Sequence, residues 1–116
     1  MEYQSGIWTS FAHTYLLSLD GNREGTIHAA ADPRLVEYAR RDDQACWYLA
    51  QALAHAGDHT GALTWLRRGA ERSFVNSRLV GQVDHMLAGL RGEPEFAELL
   101  RHMEQRATKI VRDSGF

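Results

Sequence analysis

The stretch from Asp43 to Phe74, DQACWYLAQALAHAGDHTGALTWLRRGAERSF, decides the fold. Spaced along it are Cys46, Leu49, Ala50 and Leu53, then Ala62, Leu66 and Phe74. Apolar and small residues recurring at intervals of three and four lie on one face of a helix. Gly57-Asp58 interrupts the pattern midway. Glycine tolerates the left-handed conformation that ends a helix, and aspartate caps the start of the next one. Ala50 and Ala62 are small enough to let two antiparallel helices approach, with Leu49, Leu53 and Leu66 filling the gap between them. The stretch predicts a helical hairpin, with helices over 43–56 and 58–73.

Upstream, Ile7, Trp8, Phe11, Ala12, Tyr15, Leu16 and Leu19 form a broad apolar stripe at helical spacing. Asp20-Gly21-Asn22 ends it as a turn. A short helix is expected over 23–30. Asp32-Pro33 then reads as a cap followed by proline in the first helical position, opening a helix that runs to about Arg41. Proline in a helix interior would break it, so 23–41 is not one continuous helix. Downstream, Val75-Asn76-Ser77 is a connector in which Asn76 or Ser77 caps the next helix. Leu79, Val80, Val83, Met86, Leu87 and Leu90 make the next stripe. Gly92-Glu93-Pro94 repeats the turn-then-helix order. The last helix carries Phe96, Leu99, Leu100, Met103, Ala107, Ile110 and Val111 on one side. Its other side holds Glu98, Arg101, Glu104, Gln105, Arg106 and Lys109. Gly21, Gly57 and Gly92 lie 36 and 35 residues apart, each between two striped segments. The expectation is one all-α domain over 1–116, built of three stacked antiparallel helical hairpins at about 5–41, 43–74 and 78–112.

These residues resemble the tetratricopeptide repeat, a 34-residue helix–turn–helix unit of pattern W-x2-L-G-x2-Y, A-x3-F, P. Cys46 stands in the place of the Trp, Gly69 where a small Ala closes the second helix, and Phe74 at the Pro. Further downstream, Ser73-Phe74-Val75-Asn76, Asp84 and Leu90-Arg91-Gly92-Glu93-Pro94-Glu95-Phe96-Ala97-Glu98-Leu99-Leu100 resemble the C-terminal end of repeat arrays in bacterial serine/threonine kinases, adenylate cyclases and transcriptional regulators. Arg40-Arg41-Asp42-Asp43-Gln44, leading into Trp47-Tyr48-Leu49-Ala50, fits the same group; His85 replaces the proline that follows its Asp. The likeness spans about 20–104 and implies a TPR-like right-handed α-solenoid. It also implies a non-enzymatic protein–protein interaction module within a larger bacterial signalling or regulatory protein. An abrupt start, helical in character, suggests a piece of a longer array.

In this family the first helix of each hairpin lines a concave groove that accepts a peptide. By register with the turn glycine, Gln44, Trp47, Gln51, Ala54 and His55 line it in the central hairpin, and Trp8, Phe11, Tyr15 and Leu19 in the first. Large aromatics suit anchoring, since each buries much area at small entropic cost. The same Trp47, Phe11 and Tyr15 would serve equally to pack hairpin one against hairpin two, and the sequence leaves both roles open. Self-association is the alternative function: Ile7, Trp8 and Phe11 on an end hairpin would be left apolar and exposed in a short array, making a homo-oligomer.

Composition narrows the field. At 116 residues the chain supports one core but hardly a deep catalytic cleft. Its 13 basic and 15 acidic residues nearly cancel, so no electrostatic case exists for nucleic acid or an anionic membrane as partner. One cysteine excludes an internal disulfide and a cysteine-based zinc cage, and a reducing cytoplasm is the expected compartment. No signal-peptide order and no 18-residue apolar run is present. Six histidines invite a metal or general-base reading, but Gly57-Asp58 separates His55 from His59, and His85 adjoins only Asp84. No ligand-spaced motif accompanies any of them. Cys46 occupies an inward position and reads as core. Arg67, Arg68, Arg72 and Arg78, with Glu71 among them, read as a solvated face. No catalytic residue, cofactor or metal is expected; the expected partner is a protein or peptide.

Overall fold

The computed structural model describes residues 2–72 and 85–113. The described chain is all-helical. Its helices are α1 (Glu2–Leu19), α2 (Arg23–Ala30), α3 (Pro33–Ala39), α4 (Asp43–Ala56), α5 (His59–Arg72) and α6 (Pro94–Asp113), with a 3₁₀ helix, His85–Leu90, before α6.

Local chemistry explains most of the boundaries. Gly21 (φ +76°) and Gly57 (φ +94°) take the left-handed conformation, and Gly57 closes α4. Four side chains then supply acceptors to the otherwise unpaired first-turn amides of the next helix. Asn22 accepts from the Gly25 N–H at 2.9 Å, Asp32 from Arg34 at 2.9 Å, Asp42 from Ala45 at 3.0 Å and Asp58 from Gly61 at 3.2 Å. Pro33 sits in the first turn of α3 and Pro94 opens α6, as expected. The expected break at Asp32-Pro33 therefore separates α2 from α3. A Cβ at Gly61 would lie 2.4 Å from the Asp58 carboxylate and 3.3 Å from Leu53 Cδ1. Glycine at this position lets the cap close onto α5.

α4 is the hub. It packs most extensively on α5, across the Gly57-Asp58 turn, and also touches α1, α2, α3 and the 3₁₀ helix. Its Cys46, Leu49, Ala50 and Leu53 are buried, as are Ala62, Leu66 and Ala70 of α5. Cys46 is core as expected, its thiol donating to the Ala39 carbonyl at 3.0 Å. Ala30, Leu35 and Ala39 seal the core from α2 and α3, and Leu87, Leu90, Phe96, Leu99 and Met103 extend it from the C-terminal part. α6 leans on α5, where Arg106 donates to the Ala70 carbonyl and Arg67 approaches Glu95 at 3.5 Å.

Two expectations need amendment. Ile7 and Phe11, read as exposed in a short array, are buried at 3% and 5% exposure. Both belong to the core cluster that α1 forms with α4. The turn expected at Gly92 is present, and it forms without a positive φ. Arg91 and Glu93 donate three residues back, to Ala88 (3.2 Å) and Leu90 (2.9 Å), and this 3₁₀-type turn needs no left-handed residue. Ile110, placed on the buried stripe of α6, is 48% exposed. Phe74, Val75, Asn76, Ser77, Arg78, Leu79, Val80, Val83 and Asp84 lie outside the described residues, so the expected helix from 78 is described only over 85–90, as 3₁₀.

Candidate functional site

α1 and α4 lie side by side, and α1 carries three of the four large hydrophobic side chains that are exposed among the described residues. Trp8 is 39% exposed, Leu16 58% and Leu19 52%. The reason is helical spacing: Ile7, Phe11, Thr14 and Ser18 turn inward, while Trp8, Ala12, Leu16 and Leu19 turn out. An apolar depression of about 440 Å³ opens between the two helices, lined by Trp8, Phe11, Ala12, Tyr15 and Leu16 of α1 and Tyr48 of α4.

Aromatic rings hold its floor and rim. The Trp8 ring centre lies 5.4 Å from Phe11, 5.5 Å from Tyr38 and 6.1 Å from Tyr48, the last two edge to face. Tyr38 of α3 also meets Phe11 edge-on at 5.9 Å. Tilted and edge-on contacts suit the ring quadrupoles, and they fix Trp8 although much of it faces water. Gln44 donates from Nε2 to the Tyr48 hydroxyl at 2.9 Å, steadying that ring from one turn away.

The expected groove residues divide into two groups. Phe11 and Tyr15 come together on the depression, Phe11 from the core and Tyr15 half-buried. Leu19 continues the same face in the open. Gln44 and His55 are exposed on α4, with Tyr48 between them. Trp47 and Gln51 are half-buried, Trp47 packing against the core, and Ala54 is buried. Trp47 therefore does not line the depression; neighbouring helix positions point about 100° apart, and the depression belongs to Tyr48. Sequence reasoning passes over Tyr48, although it lies four residues from Gln44 and seven from His55, the spacing of one helical face.

His55 is tied to α1. Its Nδ1 lies 3.1 Å from the Ser18 carbonyl and 3.5 Å from Ser18 Oγ, and that hydroxyl donates to the Ala52 carbonyl at 2.7 Å. A serine beside a histidine invites a nucleophile reading. Ser18, however, is fully buried and its proton is directed at a carbonyl rather than the ring. His59 goes elsewhere, its Nδ1 meeting Glu93 Oε1 at 2.9 Å and so joining the start of α5 to the start of α6. Gly57-Asp58 thus sends the two histidines to different partners.

Among the described residues, no three His, Cys, Asp or Glu side chains gather as a metal-binding group. Arg67 and Arg68 are exposed but engaged, Arg67 with Glu95 and Arg68 over the Trp65 ring at 4.8 Å. Across the described residues, no helix is long and apolar enough to cross a membrane. The fold and this face define an all-helical protein with an uncharged, partly aromatic surface between two helices. No protein-family model matches the chain, and neither a curated protein nor a solved structure matches it.

Proposed function

We propose that the chain is a non-enzymatic binding module, tetratricopeptide-like in arrangement, that holds a segment of a partner protein against the open face of α1 and α4. The observation that carries the reading is the apolar depression lined by Trp8, Phe11, Ala12, Tyr15, Leu16 and Tyr48, with Gln44 bonded to the Tyr48 hydroxyl. Peptide-binding surfaces combine apolar anchoring sites with a few polar groups that set register. The arrangement agrees with a stack of hairpins, because α4 pairs with α5 while α1, α2 and α3 lie against α4. A place within a larger bacterial signalling or regulatory protein, working in the cytoplasm, follows from the resemblance of 20–104 and belongs to the same proposal.

The test is parallel capture of partner proteins by the native chain, Trp47→Ala and Tyr48→Ala, with circular dichroism of each. The reading predicts that Tyr48→Ala loses most of the captured protein while staying folded. Trp47→Ala reports whether the half-buried indole reaches the partner: weakened capture with intact fold assigns it to binding, and unfolding assigns it to packing. Capture unchanged in both variants contradicts the proposal.

Self-association is the second reading, favoured by the exposure of Trp8, Leu16 and Leu19 on one helix. Ile7 and Phe11, being buried, do not support it. A chain that stays strictly monomeric at high concentration by light scattering removes it.

A further inference from the structure

We propose that His55 is a fixed hydrogen-bond acceptor on this face, and that it takes an uncharged N–H donor from the main chain of the bound segment. The proposal rests on the binding-module reading above. It begins with proton accounting at Ser18. The Ser18 hydroxyl has one proton, which goes to the Ala52 carbonyl at 2.7 Å. It has none left for the His55 ring, and the Ser18 carbonyl, 3.1 Å from Nδ1, has none to give. The proton between Ser18 and the ring therefore belongs to Nδ1. A neutral imidazole carries only one N–H, so Nε2 holds the lone pair. Among the described residues Nε2 has no partner, and the side chain is exposed.

The surroundings select the donor. From Trp8 to Leu19 on α1, and from Gln44 to His55 on α4, there is no Asp, Glu, Lys or Arg. Along these two stretches a lysine or arginine would find no carboxylate to neutralise it, Asp20 and Asp58 lying beyond their ends, whereas a main-chain amide brings a donor without a charge to desolvate. Tyr48 and His55 are seven positions apart, roughly 10 Å along a helix axis at about 1.5 Å per residue. An extended chain covers that distance in about three residues at roughly 3.3 Å each. A segment with an apolar side chain against Trp8 and Tyr48 thus brings an amide near His55 about three residues along.

Two measurements on the full chain test this. The first is a long-range proton–nitrogen correlation of the imidazoles, recorded well above the pH range in which histidines ordinarily titrate. A proton on Nδ1 of His55 and a bare Nε2 are expected; a proton on Nε2 overturns the assignment. The second selects binders from a displayed library of random twelve-residue peptides, then methylates their amides one at a time. One methylated amide is expected to weaken binding roughly tenfold on the native chain, the upper range for one hydrogen bond, and less than twofold on His55→Ala. His55→Gln, whose carbonyl oxygen still accepts, is expected to recover part of the effect and serves if His55→Ala does not fold. Peptides that bind with no amide coupled to position 55 overturn the acceptor role and leave the binding module standing. If no peptide is selected, both fall.

Discussion

Asp32 uses both carboxylate oxygens at the entry to α3. Oδ1 accepts the Arg34 amide at 2.9 Å, and Oδ2 meets the Arg34 guanidinium at 3.1 Å. The side-chain hydrogen bonds from Arg34, then its backbone amide, hold the Asp32 carboxyl below the usual carboxylate range. The sign follows from linkage: a carboxylate whose pKa is lower when folded stabilises the fold above its unfolded pKa. That contribution is lost as pH falls through the folded value. Asp32→Asn retains a capping oxygen but no charge, so native and variant are expected to differ in urea midpoint at neutral pH and to converge in acid. A gap that widens on acidification contradicts this. At the same scale Tyr48 shows what a sequence conceals. It stands beside Trp47, which looks like the stronger anchor, and only the rotation of α4 against α1 determines which ring reaches the open face.

The hairpin of α4 and α5 depends on Gly57 and Asp58 acting together, one ending a helix and the other starting the next. Alanine at position 57 would have to hold φ near +94°, a left-handed conformation that costs an L-residue about 1–2 kcal/mol. Asp58→Ala removes the acceptor of the Gly61 amide and is expected to cost about 1 kcal/mol. Urea denaturation followed by circular dichroism checks both, and a stability within error of native for either variant would contradict that residue's part in the turn. The first five helices are legible because their punctuation is local: a glycine, a capping side chain, or a proline in the first turn. The 3₁₀ helix is not, since Met86, Leu87 and Leu90 fit an α stripe equally well. The Gly92 turn is legible as a turn, although its hydrogen bonds run three residues back and give glycine no left-handed task. Ile7 and Phe11 are misplaced only by the self-association alternative, while the packing role left open for Phe11 is the one it takes in the core. Periodicity shows which residues share a face but not which face meets a neighbour.

For the whole molecule, the buried faces of α1 and α4 are distinct from the open face they share. Leu49 faces inward and is 1% exposed, whereas Leu16 of α1 is 58% exposed. Leu49→Ala is expected to cost about 2–5 kcal/mol, the usual range for a buried leucine. Leu16→Ala should stay within about 0.5 kcal/mol, as surface substitutions do. Thermal unfolding of the two variants checks the contrast, and a comparable loss from both would mean that the open face belongs to the core. The all-helical class and the central hairpin are readable from the sequence, while the face that α1 and α4 share emerges only from their packing. That face is the core of the functional account, and titration calorimetry of a library-selected peptide against the native chain and Tyr48→Ala tests it most directly. The account predicts at least a tenfold weaker Kd for Tyr48→Ala with its unfolding temperature little changed; equal affinity in the two proteins would contradict it.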